Sequence, residues 1–128
     1  MIYFLYGTLK KDHRLHFIVE QSDFLGEVET VDNSFDIKDF SYGAFPIVYR
    51  KEKEGFKIKG EAYRLNKDAE ETVHRLEIGA GYVPSEIKVD LDLIEKCVIF
   101  LYPKEPTMNV SNDFISMKNN VKEWTNLY

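Results

Sequence analysis

The chain has 128 residues, 44% of them apolar and 30% charged, with a formal net charge of −5. That length suits one domain with a single core, and the acidic balance excludes a general nucleic-acid binder, which needs a basic face to neutralise phosphates. A lone cysteine excludes an internal disulfide and fits a reducing compartment. No apolar run is long enough to span a bilayer, and the N-terminal one is too short, and lacks the basic leader, for a signal peptide. A cytoplasmic protein with no membrane or nucleic-acid partner is expected.

Ile2 to Tyr6 is an apolar and aromatic run that reads as a buried strand, broken by Gly7-Thr8-Leu9. Beyond it, Asp12 is placed to cap a short helix with Leu15, Ile18 and Val19 on one face. Residues 24–31 and 35–40 alternate apolar with polar, as half-buried strands do, and a further strand begins near Pro46. Residues 50–59 mix Lys, Arg and Glu around Gly55, the composition of a solvated hairpin. Residues 56–65 read as a strand, with Gly60 in the position of a bulge. From Asp68 to about Ile78 the period becomes helical, with Ala69, Val73, Leu76 and Ala80 on one face, and Gly79-Ala80-Gly81 stops it. Tyr82 to Leu91 and Cys97 to Tyr102 are two more strands. Phe114, Met117, Val121 and Trp124 recur at helical spacing, so a C-terminal helix is expected over residues 111–126, packed against the core. Many strands in a small chain, with inserted helices, point to an α+β domain covering residues 1–128 and curled into a barrel.

Two features suggest chemistry. Glu77 lies on the flank of its helix's apolar stripe, close to the helix end, where partial desolvation would raise its pKa and suit a general base. The glycine of Gly7-Thr8-Leu9 would let a ligand approach the backbone, and the amides after it can form an anion-binding concavity. A tight turn without a ligand explains the same residues. His13 and His16 are spaced i, i+3 and His74 is distant, so no metal set is expected. Cys97, in an apolar run, reads as a buried, inert thiol.

Five segments in order, "FLYGTLKKD", "GAFPIVY", "KIKGEAYRL", "RLEIGAGY" and "VIFLY", resemble the γ-glutamylcyclotransferase-like (AIG2-like) family. The resemblance covers about residues 2–102 and leaves the expected C-terminal helix outside. The family's Tyr-Gly-Thr-Leu is matched at Tyr6 to Leu9, its Gly-Glu-x-Tyr strand at Gly60 to Tyr63, its catalytic glutamate at Glu77 and the following aromatic at Tyr82. His16 matches a histidine often found after the turn. The implied fold is a small mixed-strand β-barrel flanked by helices.

The implied reaction is conversion of a small γ-glutamyl amine, amino acid or peptide to 5-oxoproline and a free amine. Glu77 is its general acid/base, and Tyr6, Gly7, Thr8, Leu9 and Tyr82 form its substrate site. No metal or cofactor is required. This chain departs from the pattern at four places: His74 stands for an aspartate, Ile78 for a glycine, Pro84 for an arginine and Asp12 for a glycine. Two alternatives stay open, a non-catalytic relative binding a small carboxylate or a protein partner, and an enzyme releasing a γ-glutamyl group from a larger metabolite. A site closed by Ile78 and Pro84 would favour the binder. Monomer and homodimer are both compatible with the sequence.

Overall fold

β1 (Ile2–Leu5) is buried on both faces, which is why its sequence is continuously apolar rather than alternating. Ile2 and Phe4 join one core cluster, with Val48, Ile58, Ile99 and Trp124, while Tyr3 and Leu5 join a second, with Tyr63, Val73 and Phe100. The remaining elements, in a computed structural model that describes residues 1–126, are β2 (Asp23–Glu29), β3 (Phe35–Phe40), β4 (Phe45–Arg50), β5 (Lys57–Arg64), α1 (Lys67–Gly79), β6 (Val83–Ile87), β7 (Cys97–Leu101), β8 (Val110–Ser111), β9 (Ile115–Lys118) and β10 (Val121–Trp124).

The strands make two sheets. Seven form the path β6-β7-β1-β5-β10-β9, with β2 also on β5, and three form β4-β3-β8. β1 runs antiparallel to β5, with Ile2 opposite Arg64, and parallel to β7, with Ile2 opposite Cys97. The α+β class holds. A closed barrel does not: a single bridge, Thr30 to Val89, links the far side of β2 to the segment after β6, where closure would need a ladder.

α1 agrees with its sequence pattern. Asn66 caps it by accepting from the Ala69 amide at 2.8 Å, and the chain leaves it through Gly81 at φ 94°. Ala69 and Val73 bury its first half against β1 and its neighbours.

Several expectations need correction, four of them local. The segment after β1 holds only a 3₁₀ turn, His16–Ile18, because its amides close short bonds, such as His16 to the His13 carbonyl at 3.1 Å. Asp12 is no cap: it sits at φ 69°, adopting the left-handed backbone that a glycine would otherwise supply. Residues 51–56 do not form a hairpin but cross from one sheet to the other, since β4 pairs β3 while β5 pairs β1, β2 and β10. Gly60 pairs in register with Val28. The irregularity lies on the partner strand between Phe24 and Gly26, and Gly60 is glycine because a Cβ would fall 2.6 Å from the Leu5 carbonyl oxygen.

The largest correction is at the C-terminus, where β8, β9 and β10 replace the expected helix. Asn119 (φ 55°) and Asn120 (φ 64°) make a two-residue turn of the mirror-image type that matches strand twist. The supposed helical stripe is accordingly dispersed. Phe114 and Met117 are 45% and 61% exposed, while Trp124 is fully buried and donates its indole N–H to Asp39 Oδ1 at 2.7 Å. No helix among the described residues is long and apolar enough to cross a membrane.

Candidate active site

A cavity of about 190 Å³ opens where the end of β1, the end of α1 and the start of β4 meet. That is below the roughly 300 Å³ at which drug-sized ligand sites begin, so it admits a single small group. Every sequence-predicted site residue lines it: Tyr6, Gly7, Thr8 and Leu9 from the turn after β1, Glu77 from α1 and Tyr82 from the segment entering β6.

The turn is shaped by its own backbone. The Lys10 amide donates to the Gly7 carbonyl at 3.0 Å and the Leu15 amide to the Thr8 carbonyl at 3.0 Å. The amides of Gly7, Thr8 and Leu9 donate to no acceptor among the described residues. Gly7 admits no side chain, because a Cβ would lie 2.8 Å from the Pro46 ring. His16 braces the turn through Nδ1, 2.9 Å from the Leu9 carbonyl oxygen. Lys10 is buried, its Nζ donating to the Trp124 carbonyl at 2.9 Å and lying 3.6 Å from the Glu123 carboxylate. The first turn is thereby fastened to the last strand.

Glu77 is half-buried on α1, with apolar Leu76, Phe100 and Pro46 among the other lining residues. Loss of water pushes its carboxyl up to about 7. Burial likewise raises the phenols of Tyr6 and Tyr82, and the Glu77 charge adds to both shifts, so both remain neutral. Their hydroxyls are already committed. Tyr6 donates to the Phe100 carbonyl at 2.7 Å and Tyr82 to the Pro46 carbonyl at 3.0 Å. Both tyrosines thus contribute ring surface to the cavity and hold its walls, their O–H groups being turned to the backbone.

The departures from the family pattern lie off the cavity. His74 Nε2 is 2.6 Å from the Tyr3 hydroxyl, and its ring meets Phe100 edge-on. Ile78 is 52% exposed, and Pro84 is exposed on the edge strand β6; neither lines the cavity. Burial raises the Cys97 thiol to about 11, as its apolar run suggested. No cluster of metal-ligating side chains occurs among the described residues.

Sequence reasoning missed Arg14, Leu15, Phe45 and Pro46 on the cavity wall. Pro46 had a signal, since it lies in one of the five segments that carry the resemblance. Arg14 had none.

The family model for gamma-glutamyl cyclotransferase, AIG2-like, matches residues 3–124. The chain belongs to this family. The match takes in the C-terminal hairpin, so the resemblance extends past residue 102, where the sequence pattern had ended it. A Pyrococcus horikoshii relative, named as a candidate gamma-glutamylcyclotransferase, is 32% identical over 80 residues, which span 61% of this chain and 60% of that one. The crystal structure of that P. horikoshii protein superposes with a TM-score of 0.67 at 25% identity, over 87% of this chain and 85% of its own.

Two more distant structures share the fold. An AIG2-like protein from Mus musculus has a TM-score of 0.59 at 18% identity, covering 78% of this chain and 75% of that one. Kluyveromyces lactis allophanate hydrolase has a TM-score of 0.67 at 14% identity, covering 85% of this chain but 18% of that one. The same architecture therefore occurs both as most of a small AIG2-like chain and as a minor part of a larger enzyme.

Proposed function

We propose that this protein is a γ-glutamyl cyclotransferase, converting a small γ-glutamyl amine, amino acid or peptide to 5-oxoproline and the free amine. The observation that carries the reading is a half-buried carboxyl, Glu77, raised to about 7 and sharing one small cavity with the unpartnered amides of Gly7, Thr8 and Leu9. Those amides would take the substrate's α-carboxylate. Its α-ammonium would then lie against Glu77.

Glu77 as carboxylate removes a proton from the ammonium. The freed amine attacks the γ-carbonyl carbon, so a C–N bond forms within one molecule and the C–N bond to the leaving amine breaks. One hydrogen stays on the lactam nitrogen. Of the two protons released, Glu77 hands one to the departing nitrogen, and solvent exchanges the other to give a free ammonium. No water is consumed and no electrons change hands. Nucleophile and electrophile are already joined, so holding the glutamyl chain folded supplies much of the acceleration. A carboxyl titrating near neutrality is matched to an amine that titrates at about 8.

The test is 5-oxoproline release from a panel of γ-glutamyl compounds, repeated with Glu77→Gln. Release by the native chain and its loss in the variant support the reading. Persistence in the variant overturns Glu77 as the base, and no product from any compound overturns the activity and favours a carboxylate-binding protein. Ile78 and Pro84 lie away from the cavity, which removes the closure that would have favoured that second reading. Release of a γ-glutamyl group from a larger metabolite belongs to the same chemistry, and larger conjugates in the panel address it.

A further inference from the structure

Arg14 is the cation on the cavity wall, and cyclisation as described above does not use it. Two observations set it apart from an ordinary surface arginine. It is tethered: Nη2 donates to the carbonyl oxygen of Ala44. It is also unmatched, since no carboxylate among the described residues lies within ion-pair distance of it.

The loop that holds it is itself fixed. Ser41, Tyr42 and Gly43 run consecutively through the left-handed region at φ 54°, 55° and 90°. This backbone is secured by Asp39 Oδ2 accepting from the Gly43 amide at 2.7 Å, by the Ala44 amide donating to the Phe40 carbonyl at 3.0 Å, and by Asn126 Nδ2 donating to the Gly43 carbonyl at 2.6 Å. On the other side, the Leu15 amide bond to Thr8 folds residues 10–15 back against the turn after β1. Arg14 therefore links two pinned segments at the cavity wall, and one carbonyl leaves most of its N–H donors unused.

Position along the cavity decides what those donors serve. Tyr82 and Phe100 are buried, Glu77 is half-buried and Arg14 is exposed. A γ-glutamyl group held by the 7–9 amides and Glu77 would leave its amide-linked partner on the exposed side of the cavity, where Arg14 is the charged group beside Leu76 and Ala80. We propose that Arg14 is a specificity residue that binds a carboxylate on the leaving amine, so that the preferred substrates are γ-glutamyl conjugates of carboxylate-bearing amines such as amino acids or short peptides. Conjugates of plain alkylamines gain nothing from it, and those with a cationic tail are repelled. This assignment rests on the cyclotransferase reading for its chemistry, but its binding component can be measured separately.

The experiment compares γ-glutamylglycine with γ-glutamylmethylamide, which lacks the outer carboxylate. With native protein, kcat/KM is expected to favour the glycine conjugate about tenfold, the value of one charge-assisted contact at an exposed site, and the difference should sit in KM. Arg14→Gln should erase the preference by weakening the glycine conjugate alone, and Arg14→Lys should restore part of it. Equal losses on both conjugates would mean that Arg14 serves the glutamyl carboxylate or merely the loop; that result, or no native preference, overturns the assignment. Dissociation constants on the Glu77→Gln chain, with and without Arg14→Gln, keep the two proposals apart. If neither compound yields 5-oxoproline, the cyclotransferase reading falls. An Arg14-dependent tenfold difference in binding would then still support the anion site, whereas equal binding or none would overturn it.

Discussion

The first and second halves of α1 carry the same kinds of side chain and bury them differently. Ala69 and Val73 are 4% and 0% exposed against the sheet, whereas Leu76 and Ile78 are 44% and 52% exposed, and Leu76, Glu77 and Ala80 line the cavity. The apolar stripe is continuous in sequence, yet its first residues, Ala69 and Val73, join the core while Leu76 and Ala80 line the cavity. In that second stretch the same periodicity that built a core builds a cavity wall, and a carboxylate on its flank loses water without gaining a partner. A helical stripe reports where apolar surface is needed, not whether protein or a ligand covers it.

The sharpest way to break this contrast is Glu77→Gln. If the second half serves chemistry, kcat falls by about 10²- to 10⁴-fold, the usual worth of a general acid/base, while circular dichroism shows an unchanged fold. A pH profile follows from the same group. The base is the carboxylate, so kcat/KM of the native chain should fall toward acid below about pH 7 and level above it, with the acid limb absent from any residual rate of the variant. Val73→Ala probes the first half. Removing fully buried methyl groups should cost about 1–3 kcal/mol in denaturant unfolding and leave kcat unchanged.

A smaller effect joins the two halves. The Glu77 carboxyl titrates at about 7 in the folded chain, against 4.5 ordinarily, so the folded state holds its proton more tightly. Stability should therefore decline as pH rises from about 4.5 to about 7. Above that window Glu77→Gln should be more stable than the native protein by about 1–2 kcal/mol, a figure reduced because solvent reaches part of the group. At about pH 4 the two should unfold alike. Ile78→Ser is the smallest change: exposed and off the cavity, it should shift stability by less than about 0.5 kcal/mol and leave turnover intact.

How much of this was legible in the sequence depended on how many independent signals agreed. α1 had a period and a glycine stop, and both held, while its Asn66 cap went unread. The cavity lining was legible mainly through the family resemblance, whose motifs single out Tyr6 to Leu9, Glu77 and Tyr82. Composition and periodicity marked only the turn after β1 and the flank of α1, and left a ligand-free turn open. The C-terminal hairpin was misread because four apolar residues happened to fall at helical spacing, while the stronger signal, Asn119-Asn120 between two short runs, is local turn chemistry that outweighs a stripe of four. The crossing at residues 51–56 was hidden for another reason: its charged composition suits any solvated connection, and only pairing between distant strands distinguishes a crossing from a hairpin. Arg14 was illegible as a cavity residue because its tether is a carbonyl thirty residues away.

The contact between the Lys10 amine and the Trp124 carbonyl, 2.9 Å apart across nearly the whole chain, has a bearing on biogenesis. During synthesis the Gly7-Thr8-Leu9 loop emerges first, but its neighbouring ammonium acquires an acceptor only when β10 docks beside β5. Until then the ammonium stays in water, and the loop, although turned by its own backbone bonds, is not fastened to the rest of the chain. A nascent chain stalled before residue 121 therefore lacks this fastening even where β1 has paired with β5 and β7.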